Sequence, residues 1–344
     1  MRRLRLRAFV LTAGRGRRLE PLSLFVPKPL LPVCGEPIVG HTLRQLAALG
    51  CEAALLNLHH LPDEISSALG RSYYGLPLLY SWEKEIQGTL GALHPRRDFL
   101  AAADLVLLVN GDTLCRWPWK KLLRRHLRSA ADATLLLLRR PPEEALGGGV
   151  GVDARGAVVQ LRDGEAAGKV ARRRVFAGAH ILSPRLLERV EAGPADIIDA
   201  LYQPLLAGGG RIESVTTSRR WHDAGTAERY LAADVDWVRG PWPWPWRRRD
   251  WISPLAVVSD DAYLHRSVVE AGAEVGSDVK MDSSAVLPGA RVASGSRILS
   301  SIIGPGVRLA SAANIERRMI NRVKIDYRPR ADESVIGDHV YTPI

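Results

Sequence analysis

Apolar and polar positions alternate in blocks along the first two thirds of the chain, and each block has the length of a strand or a helix. Leu6 to Thr12 is an apolar run that is followed closely by glycine. Residues 38–50 (IVGHTLRQLAALG) carry apolar side chains at helical spacing and end in glycine, and a second apolar run, AALLNLHH, begins at Ala53. The pattern predicts a strand, a loop, a helix and a strand, in that order.

The next blocks repeat this alternation. Residues 103–112 (ADLVLLVNGD) are apolar without a period of two until a turn-forming Asn-Gly-Asp, which is typical of a strand covered on both faces. KKLLRRHLRSA, from Lys120, predicts a helix, and ATLLLLRR, from Ala133, predicts the following strand. Alternating strands and helices predict an α/β fold with a doubly wound, mostly parallel sheet, whose ligands bind beyond the carboxyl ends of the strands. The segments GRGRR and NGD both lie at such ends.

The pattern changes at residues 235–251 (VDWVRGPWPWPWRRRDW), where five tryptophans alternate in part with three prolines. Proline at this density excludes a helix or an inner strand, so an extended linker is expected; a membrane or nucleic-acid contact through Trp and Arg is the alternative. Beyond it, apolar residues recur every six positions, which predicts a hexapeptide β-helix of about three coils. These residues are Val257, Tyr263, Val269, Val275, Met281 and Leu287. We therefore expect an α/β domain at 1–235, a linker at 236–253 and a β-helix at 254–344.

Composition adds limits to this organisation. The chain has 344 residues, 46% of them apolar, which is enough for two cores. Its net charge of +11 suggests an anionic partner, but only seven of the 48 basic residues are lysine. An arginine bias beside heavy use of Ala, Gly and Pro is typical of GC-rich coding, so the charge argues only weakly for nucleic acid.

The expected compartment is the cytoplasm. Cys34, Cys51 and Cys115 show neither a CxxC pair nor a zinc-type spacing, which favours reduced thiols. MRRLRLRAFVLTAG imitates a signal peptide, but its apolar stretch is short and lacks a cleavage site, so we expect a first strand there. No run approaches the roughly 20 apolar residues of a membrane helix.

The segment LTAGRGRRLEPLSLFVPKPLLPV, residues 11–33, has the composition of a phosphate-binding loop. Gly14 and Gly16 allow a sharp turn and a close backbone approach to an anion. Lys28 is flanked by two prolines, which fix its position in a way that an ordinary surface does not require. The segment matches neither GxGxxG nor the Walker loop, and a plain basic surface remains the alternative.

This segment resembles the N-terminal motif of sugar-1-phosphate nucleotidyltransferases, approximately LAGGxGTRLxPLTxxxPKPxxPV. EIQGTLGAL (85–93), LVNGDTL (108–114), VFAGAHILSPRLLE (175–188) and WHDAGTAERYLAA (221–233) resemble further segments of that family, in the family's order. The resemblance covers roughly residues 6–235 and implies a Rossmann-like, GT-A-like catalytic domain. The tail resembles the left-handed β-helix appended to several such enzymes, including mannose-1-phosphate guanylyltransferases.

The resemblance implies a reaction and a set of site residues. In this family a phosphate oxygen of the sugar 1-phosphate attacks the α-phosphorus of a nucleoside triphosphate, and pyrophosphate leaves. By resemblance, Arg18, Lys28 and Asp112 are catalytic, Gly178 lies at the sugar, and Asp112 and Asp223 bind Mg²⁺. The implied nucleotide-binding residues are Thr12, Ala13, Gly14, Gly16, Gly88, Thr89 and Gly111. Without the resemblance, Asp112 reads as a turn residue and Asp223 as the first residue of a helix.

Several residues depart from the family pattern or fall outside it. Arg17 stands where a threonine is usual, Gln87 where a leucine is common, and the EKP motif that often supplies a sugar-phosphate lysine is absent, with Lys169 in that region. We expect the adjacent His59 and His60 to face opposite sides of a strand and to be structural. His222, beside Asp223, could support a metal ligand.

Three functions of different classes remain open at this point. An enzyme that makes GDP-mannose is favoured because of the β-helix tail, with UDP- or dTDP-sugar synthesis as an alternative. A regulatory subunit that binds sugar nucleotides without making them would explain the missing EKP motif. Nucleic-acid binding by the basic surface has no recognised reader motif to support it. The tail itself is expected to form a homo-oligomer; an acyltransferase role is disfavoured because His265 and His339 are isolated.

Overall fold

The computed structural model describes residues 4–139, 149–238, 249–324 and 326–344. Up to residue 238 the strands and helices are β1 (Leu6–Leu11), β2 (Pro32–Val33), β3 (Glu36–Pro37), α1 (Ile38–Leu49), β4 (Ala53–Leu58), α2 (Pro62–Leu69), β5 (Ser72–Tyr73), β6 (Leu76–Trp82), α3 (Gly88–Gly91), α4 (Arg97–Ala101), β7 (Leu105–Asn110), β8 (Thr113–Cys115), α5 (Trp119–Ser129), β9 (Ala133–Leu138), β10 (Val150–Val152), β11 (Val158–Leu161), β12 (Arg172–Leu182), α6 (Gln203–Ala207), β13 (Ile212–Thr217), β14 (Trp221–Asp223) and α7 (Ala227–Val238). The strands and helices predicted from the apolar blocks are confirmed.

The described residues of this part of the chain also form six short helical turns. They are of the 3₁₀ type at Arg17–Leu19, Leu22–Leu24, Lys28–Leu30, His94–Arg96 and Pro184–Arg189, and of the π type at Ile198–Tyr202. Three of the six lie between residues 17 and 30, in the segment whose composition predicts a phosphate-binding loop.

The described residues divide into two compact units. The first unit comprises Met1–Gly14 and Val39–Trp221, and the second comprises Arg15–Ile38 and His222–Ile344. The segment between β1 and α1 therefore belongs with α7 and the C-terminal strands. Each unit is described by itself below.

The first unit is built on a mixed sheet with the strand order β11-β10-β12-β7-β1-β4-β6-β5, to which β9 and β13 are joined through β12. The central strands β7, β1, β4 and β6 are parallel, as are β9 and β13, whereas β12 runs antiparallel to β7 and β9. Every residue of β4 and β9 is buried, as their continuous apolar sequences predict. The doubly wound, mostly parallel sheet is confirmed.

The second unit contains a parallel β-helix. Its strands are β15 (Trp251–Ile252), β16 (Val257–Val258), β17 (Tyr263–His265), β18 (Val268–Val269), β19 (Glu274–Val275), β20 (Lys280–Asp282), β21 (Ala285–Val286), β22 (Arg291–Val292), β23 (Arg297–Leu299), β24 (Ile302–Ile303), β25 (Arg308–Leu309), β26 (Asn314–Glu316), β27 (Arg318–Arg322), β28 (Ser334–Ile336) and β29 (His339–Pro343). The first thirteen stack into three parallel sheets, and an antiparallel hairpin of β28 and β29 pairs with β27.

The coil of this β-helix is 17 residues long, so the predicted strict six-residue period is wrong. Trp251 pairs with Val268, and Val257 with Glu274. Buried side chains therefore recur at steps of six, six and five, and the longest parallel stack among the described residues holds five strands. Val257 and Tyr263, expected inside, are 68% and 63% exposed.

The five-residue step lies at a corner that repeats with the coil. Arg266, Ser283, Ser300 and Arg317 all have positive φ, between 44° and 51°. A buried serine follows three of these corner residues, and the Ser284 hydroxyl accepts a hydrogen bond from the Ser301 N–H at 3.1 Å. Stacked serine hydroxyls thus stabilise these corners, where none of the four residues at positive φ is glycine.

The Trp/Pro-rich linker falls largely outside the described residues, because positions 239–248 are not among them. The described chain stops at Val238, the last residue of α7, and resumes before Trp251 in β15. Among the helices of the described ranges, none has both the length and the apolar character needed to cross a membrane.

Candidate functional site

In the first unit, candidate residues meet where the parallel strands β1 and β7 end. The Gly111 N–H donates to the Leu11 carbonyl at 2.8 Å. A Cβ on Gly111 would lie 2.6 Å from Thr12 Cγ2, so only glycine fits here without displacement. The half-buried Asp112 comes next, with the Thr113 hydroxyl 3.4 Å from its Oδ1. Thr12, Gly111 and Asp112 therefore lie together at the carboxyl edge of the sheet.

Ala13 and Gly14 continue the chain from this edge. Ala13 is buried, whereas Gly14 is exposed and a Cβ added to it would meet no heavy atom within 4 Å. No protein packing in the described residues requires glycine at position 14. The open space is what a close approach of an anion to the backbone would need.

A buried hydrogen-bond chain links three strand ends. The Thr12 N–H donates to Asn57 Oδ1 at 2.7 Å, and Asn57 Nδ2 donates to Glu83 Oε1 at 2.8 Å. The other oxygen of Glu83 accepts from the Gln87 N–H at 2.9 Å. Asn57 and Glu83 are each 3% exposed. This chain fixes the ends of β1, β4 and β6 relative to one another and to the segment that carries Gly88.

Sequence reasoning missed Asn57 and Glu83. A signal was present, because Asn57 is the one polar side chain in the apolar strand Ala53–Leu58. A buried amide must find hydrogen-bond partners, so its position predicts a polar network nearby. The sequence gives no indication that Glu83 is the partner.

Gly88 and Thr89 form the first turn of α3, tightly packed on a distant segment. Gly88 has φ +72°, and a Cβ there would lie 2.5 Å from the Ala195 carbonyl oxygen. The Thr89 hydroxyl accepts from the Ile197 N–H at 2.8 Å and lies 3.4 Å from Asp196 Oδ2. The position of this turn is therefore set by residues 195–197.

Gly178, the expected sugar-site residue, lies within β12 beside the end of β7. Its φ is +89°, and a Cβ there would lie 3.1 Å from Asn110 Nδ2. The pairing of β12 with β9 is irregular between Phe176 and His180, around this glycine. Gly178 is thus next to the residue that precedes Gly111. Lys169, considered as a substitute for the missing family lysine, is exposed.

In the second unit, residues 15–33, here called the signature loop, fold back on themselves. Gly16 has φ +65°, and a Cβ on it would lie 3.3 Å and 3.4 Å from the Cβ atoms of Ser23 and Lys28. The Ser23 hydroxyl donates to the Gly16 carbonyl at 3.0 Å. Lys28 is only 9% exposed, whereas Arg15 and Arg17 are exposed. The loop thus packs Lys28 close to the Gly16 turn.

Arg18 and Asp223 both lie close to Gly225 in this unit. The Gly225 N–H donates to Asp223 Oδ1 at 2.8 Å, and a Cβ on Gly225 would lie 3.1 Å from Arg18 Nη2. Arg229, from α7, contacts Asp223 Oδ2 at 3.0 Å. The second unit therefore brings together a candidate phosphate-binding arginine, a candidate metal carboxylate and an arginine that sequence reasoning did not select.

The donor types fit a magnesium ion. Mg²⁺ is usually bound by one or two carboxylates, with phosphates and water completing its shell. Asp112, in the first unit, offers such oxygens, and so, separately, does Asp223 in the second, where one oxygen is oriented by the Gly225 N–H. Within the described ranges there is no group of three or more His, Cys, Asp or Glu side chains able to hold a metal ion by themselves. Substrate phosphates would have to supply the remaining ligands.

The histidines differ from expectation. His59 and His60 follow β4 instead of lying on it, so the expectation that they face opposite sides of a strand is wrong. His59 Nδ1 lies 3.0 Å from the Glu83 carbonyl oxygen. His222 Nε2 lies 2.9 Å from Asp236 Oδ2 in α7, which gives it a structural partner.

Comparison with known proteins agrees with the motif order. The sequence profile of the family described as Nucleotidyl transferase matches residues 7–239. The chain is 32% identical over 276 residues to a mannose-1-phosphate guanylyltransferase of Mycobacterium tuberculosis, covering 78% of this chain and 76% of that protein.

Relatives from eukaryotes match a shorter stretch. A mannose-1-phosphate guanylyltransferase catalytic subunit beta of Xenopus tropicalis is 28% identical over 66% of this chain, and a mannose-1-phosphate guanyltransferase of Emericella nidulans is 30% identical over 66%. The match spans 63% and 62% of those two proteins, less than two thirds of their length.

Proposed function

This chain belongs to the sugar-1-phosphate nucleotidyltransferase family, and we propose that it converts mannose 1-phosphate and GTP to GDP-mannose and pyrophosphate. The choice of sugar and base rests on the 32% identity to a mannose-1-phosphate guanylyltransferase over 76% of that protein's length. A UDP- or dTDP-sugar product is the alternative that a substrate screen would reveal.

In the proposed reaction, an oxygen of the sugar phosphate forms a bond to the α-phosphorus of GTP. The bond from that phosphorus to the bridging oxygen of the β-phosphate breaks, and pyrophosphate leaves with the electron pair. The protein has little covalent chemistry to perform, so its contribution is to orient two anions and to neutralise developing charge. No general base is required beyond the phosphate oxygen itself.

We assign nucleotide-binding roles to individual residues in the glycine-rich turns. The open backbone at Gly14, the close packing at Gly111 and Gly88, and the fixed Thr89 support this assignment in the first unit. The remaining assigned nucleotide residues are Thr12, Ala13 and Gly16. Gly178 is assigned to the sugar because it lies at the end of β7, next to Asn110.

We assign the charged roles to Arg18, Lys28 and Asp112. Arg18 would bind the leaving end of the triphosphate, and Lys28 would contact the reacting phosphates; the low exposure of Lys28 between two prolines supports a fixed position. Asp112 and Asp223 are each proposed as ligands of Mg²⁺. When bound, that ion would neutralise phosphate charge, and each carboxylate variant should need more Mg²⁺ for half-maximal activity.

Two further proposals concern the state of the protein. Cys34, Cys51 and Cys115 are free cysteines, and burial raises the pKa of the Cys51 and Cys115 thiols to about 12. Inert thiols support a cytoplasmic location. The β-helix is proposed to form a homo-oligomer, so a chain truncated near Arg249 should lose particle mass beyond the deletion in light scattering.

The test of function is pyrophosphate release with Mg²⁺ over a grid of nucleoside triphosphates and sugar 1-phosphates. We expect the highest kcat/KM with GTP and mannose 1-phosphate. A preference for UTP or dTTP would replace the substrate assignment. If the folded protein binds GDP-mannose but releases no pyrophosphate anywhere on the grid, the regulatory-subunit hypothesis, motivated by the missing EKP motif and Arg17, is correct instead.

A further inference from the structure

We infer that the C-terminal end of the chain holds the signature loop in shape, with Arg330 as the positioning residue. The elements concerned belong to the second unit. The C-terminal clamp consists of Arg322, which ends β27, and of Lys324, Arg330 and Glu333, which follow that strand. The part of this inference that concerns turnover rests on the proposed function, whereas the part that concerns the loop does not.

The clamp places two cations on carbonyl groups of the loop. Arg330 Nη2 donates to the Glu20 carbonyl at 3.0 Å, and Lys324 Nζ donates to the Leu24 carbonyl at 3.2 Å. Leu24 ends the short 3₁₀ turn Leu22–Leu24, and Glu20 lies just before it. The last carbonyl of such a turn has no helical partner, so Lys324 stabilises the end of the turn, while Arg330 fixes the chain that enters it.

The aromatic ring that follows the turn is held in the same way. Arg322 Cζ and Lys324 Nζ each lie 5.8 Å from the centre of the Phe25 ring. Cations at this distance are attracted to the face of an aromatic ring. Three successive features of the loop, at residues 20, 24 and 25, are therefore held by cationic side chains of one short segment.

Glu333 makes the Arg330 side chain rigid. Its carboxylate has no exposed side-chain surface and accepts from Arg330 Nε at 3.2 Å and from Nη2 at 2.8 Å. It also accepts from the Arg330 N–H, the Tyr327 hydroxyl and the Thr342 hydroxyl, at 2.6–2.8 Å. A guanidinium fixed by a carboxylate loses little further entropy when it donates to Glu20.

The clamped turn is the part of the loop that supports Gly16 and Lys28. Ser23, inside the turn, donates to the Gly16 carbonyl, and its Cβ lies where a Cβ on Gly16 would touch it. Gly16 in turn packs against Lys28. Movement of residues 20–25 would therefore shift the residues proposed to bind phosphates, and a displacement of about 1 Å at such residues can cost on the order of a hundredfold in rate.

The experiment combines hydrogen–deuterium exchange with kinetics on full-length Arg330→Ala, Lys324→Ala and the double variant. We expect faster exchange in peptides from residues 15–33, unchanged exchange in peptides from residues 284–303, and a fall in kcat/KM for the triphosphate of about tenfold in the double variant. Arg330→Lys should retain part of the activity. Arg328→Ala, which removes an exposed charge from the same segment, is the matched control.

The outcomes separate this inference from the proposed function. Unchanged exchange in the loop of the double variant would overturn the positioning role, whatever the activity. Faster exchange in the loop with unaltered kcat and KM would overturn the link between the clamp and turnover. Faster exchange in a protein that shows no activity on any substrate pair would support the clamp and count against the proposed function instead. Glu333→Gln gives a second route to the same test, because it frees Arg330 without removing it.

Discussion

The strand ends of the first unit and the signature loop of the second unit are held by different forces. Thr12, Asn57 and Glu83 are joined by buried hydrogen bonds, and Gly111 packs where no Cβ fits. In the signature loop, residues 20–25 are held by exposed cationic side chains, which donate hydrogen bonds to backbone carbonyls and lie over the Phe25 ring. Buried polar contacts are costly to break, whereas exposed ionic contacts are individually weak. A single substitution should therefore lower stability or activity strongly in the first region. In the second region each single substitution should have a small effect, and the effects should add up.

The largest effect is expected at the two candidate metal carboxylates, one in each unit. Asp112→Asn and Asp223→Asn should each lower turnover by well over tenfold, about 1.4 kcal/mol or more in the activation barrier, because each loses a negative ligand charge. Thermal unfolding should stay close to that of the unmodified protein. Pyrophosphate release at saturating substrate measures the effect, and normal turnover in either variant would show that this residue is not a Mg²⁺ ligand.

The buried hydrogen-bond chain should respond next most strongly. Glu83→Gln turns one of two accepting oxygens into a donor, which leaves either Asn57 Nδ2 or the Gln87 N–H without its acceptor. We expect a loss of about 1–3 kcal/mol in the free energy of unfolding and a higher KM for the triphosphate. Urea unfolding measures the first quantity, with the exposed Glu85→Gln as the control. Equal stability of the two variants would show that the chain is not a structural support.

A smaller, pH-dependent effect is expected where the second unit buries two acids. Glu270 Oε1 accepts from the Gly35 N–H at 3.0 Å, and Asp234 Oδ1 accepts from the Cys34 N–H at 3.2 Å. Burial raises the pKa of Glu270 from 4.5 to about 7; burial, together with Glu270, also raises the pKa of Asp234. Folded Glu270 thus keeps its proton at pH values where the unfolded chain has lost it.

The sign of the effect follows from this difference. The contribution of Glu270 to stability is fully present below about pH 4.5 and is lost as the pH rises to about 7. Glu270→Gln should therefore raise Tm by a few degrees at pH 8 relative to the unmodified protein, and by less at pH 5. Calorimetry at the two pH values measures this, with the exposed Glu316→Gln as control. A shift of the same size at both pH values would contradict the account.

The sequence predicts the two folds unequally well. In the first unit, apolar runs bounded by turns were sufficient, because buried parallel strands leave continuous apolar sequence. In the β-helix, the corner residues that shorten one step in three are arginine and serine at positive φ, such as Arg266 and Ser283. These residue types do not mark a left-handed turn. Three six-residue steps per coil were therefore expected, whereas one step has five residues and the coil has 17.

The residues of the candidate site also differ in how well the sequence predicts them. Motif order selected Asp112 and Lys28 as candidates, because those residue types stand in recognisable sequence motifs. Asn57 and Glu83 were not predicted because they contact each other across 26 residues of sequence. Arg330 was not predicted because it contacts Glu20 across 310 residues. Contacts between distant segments depend on the tertiary fold, which local sequence patterns do not encode.

The most direct test of the proposed reaction is ³¹P NMR of GTP and mannose 1-phosphate incubated with the protein and Mg²⁺. We expect GDP-mannose and pyrophosphate in equal amounts, formed at least tenfold more slowly by Asp112→Asn. Consumption of GTP to GDP and inorganic phosphate without any sugar nucleotide, or product formation that is equally fast in Asp112→Asn, would contradict this expectation.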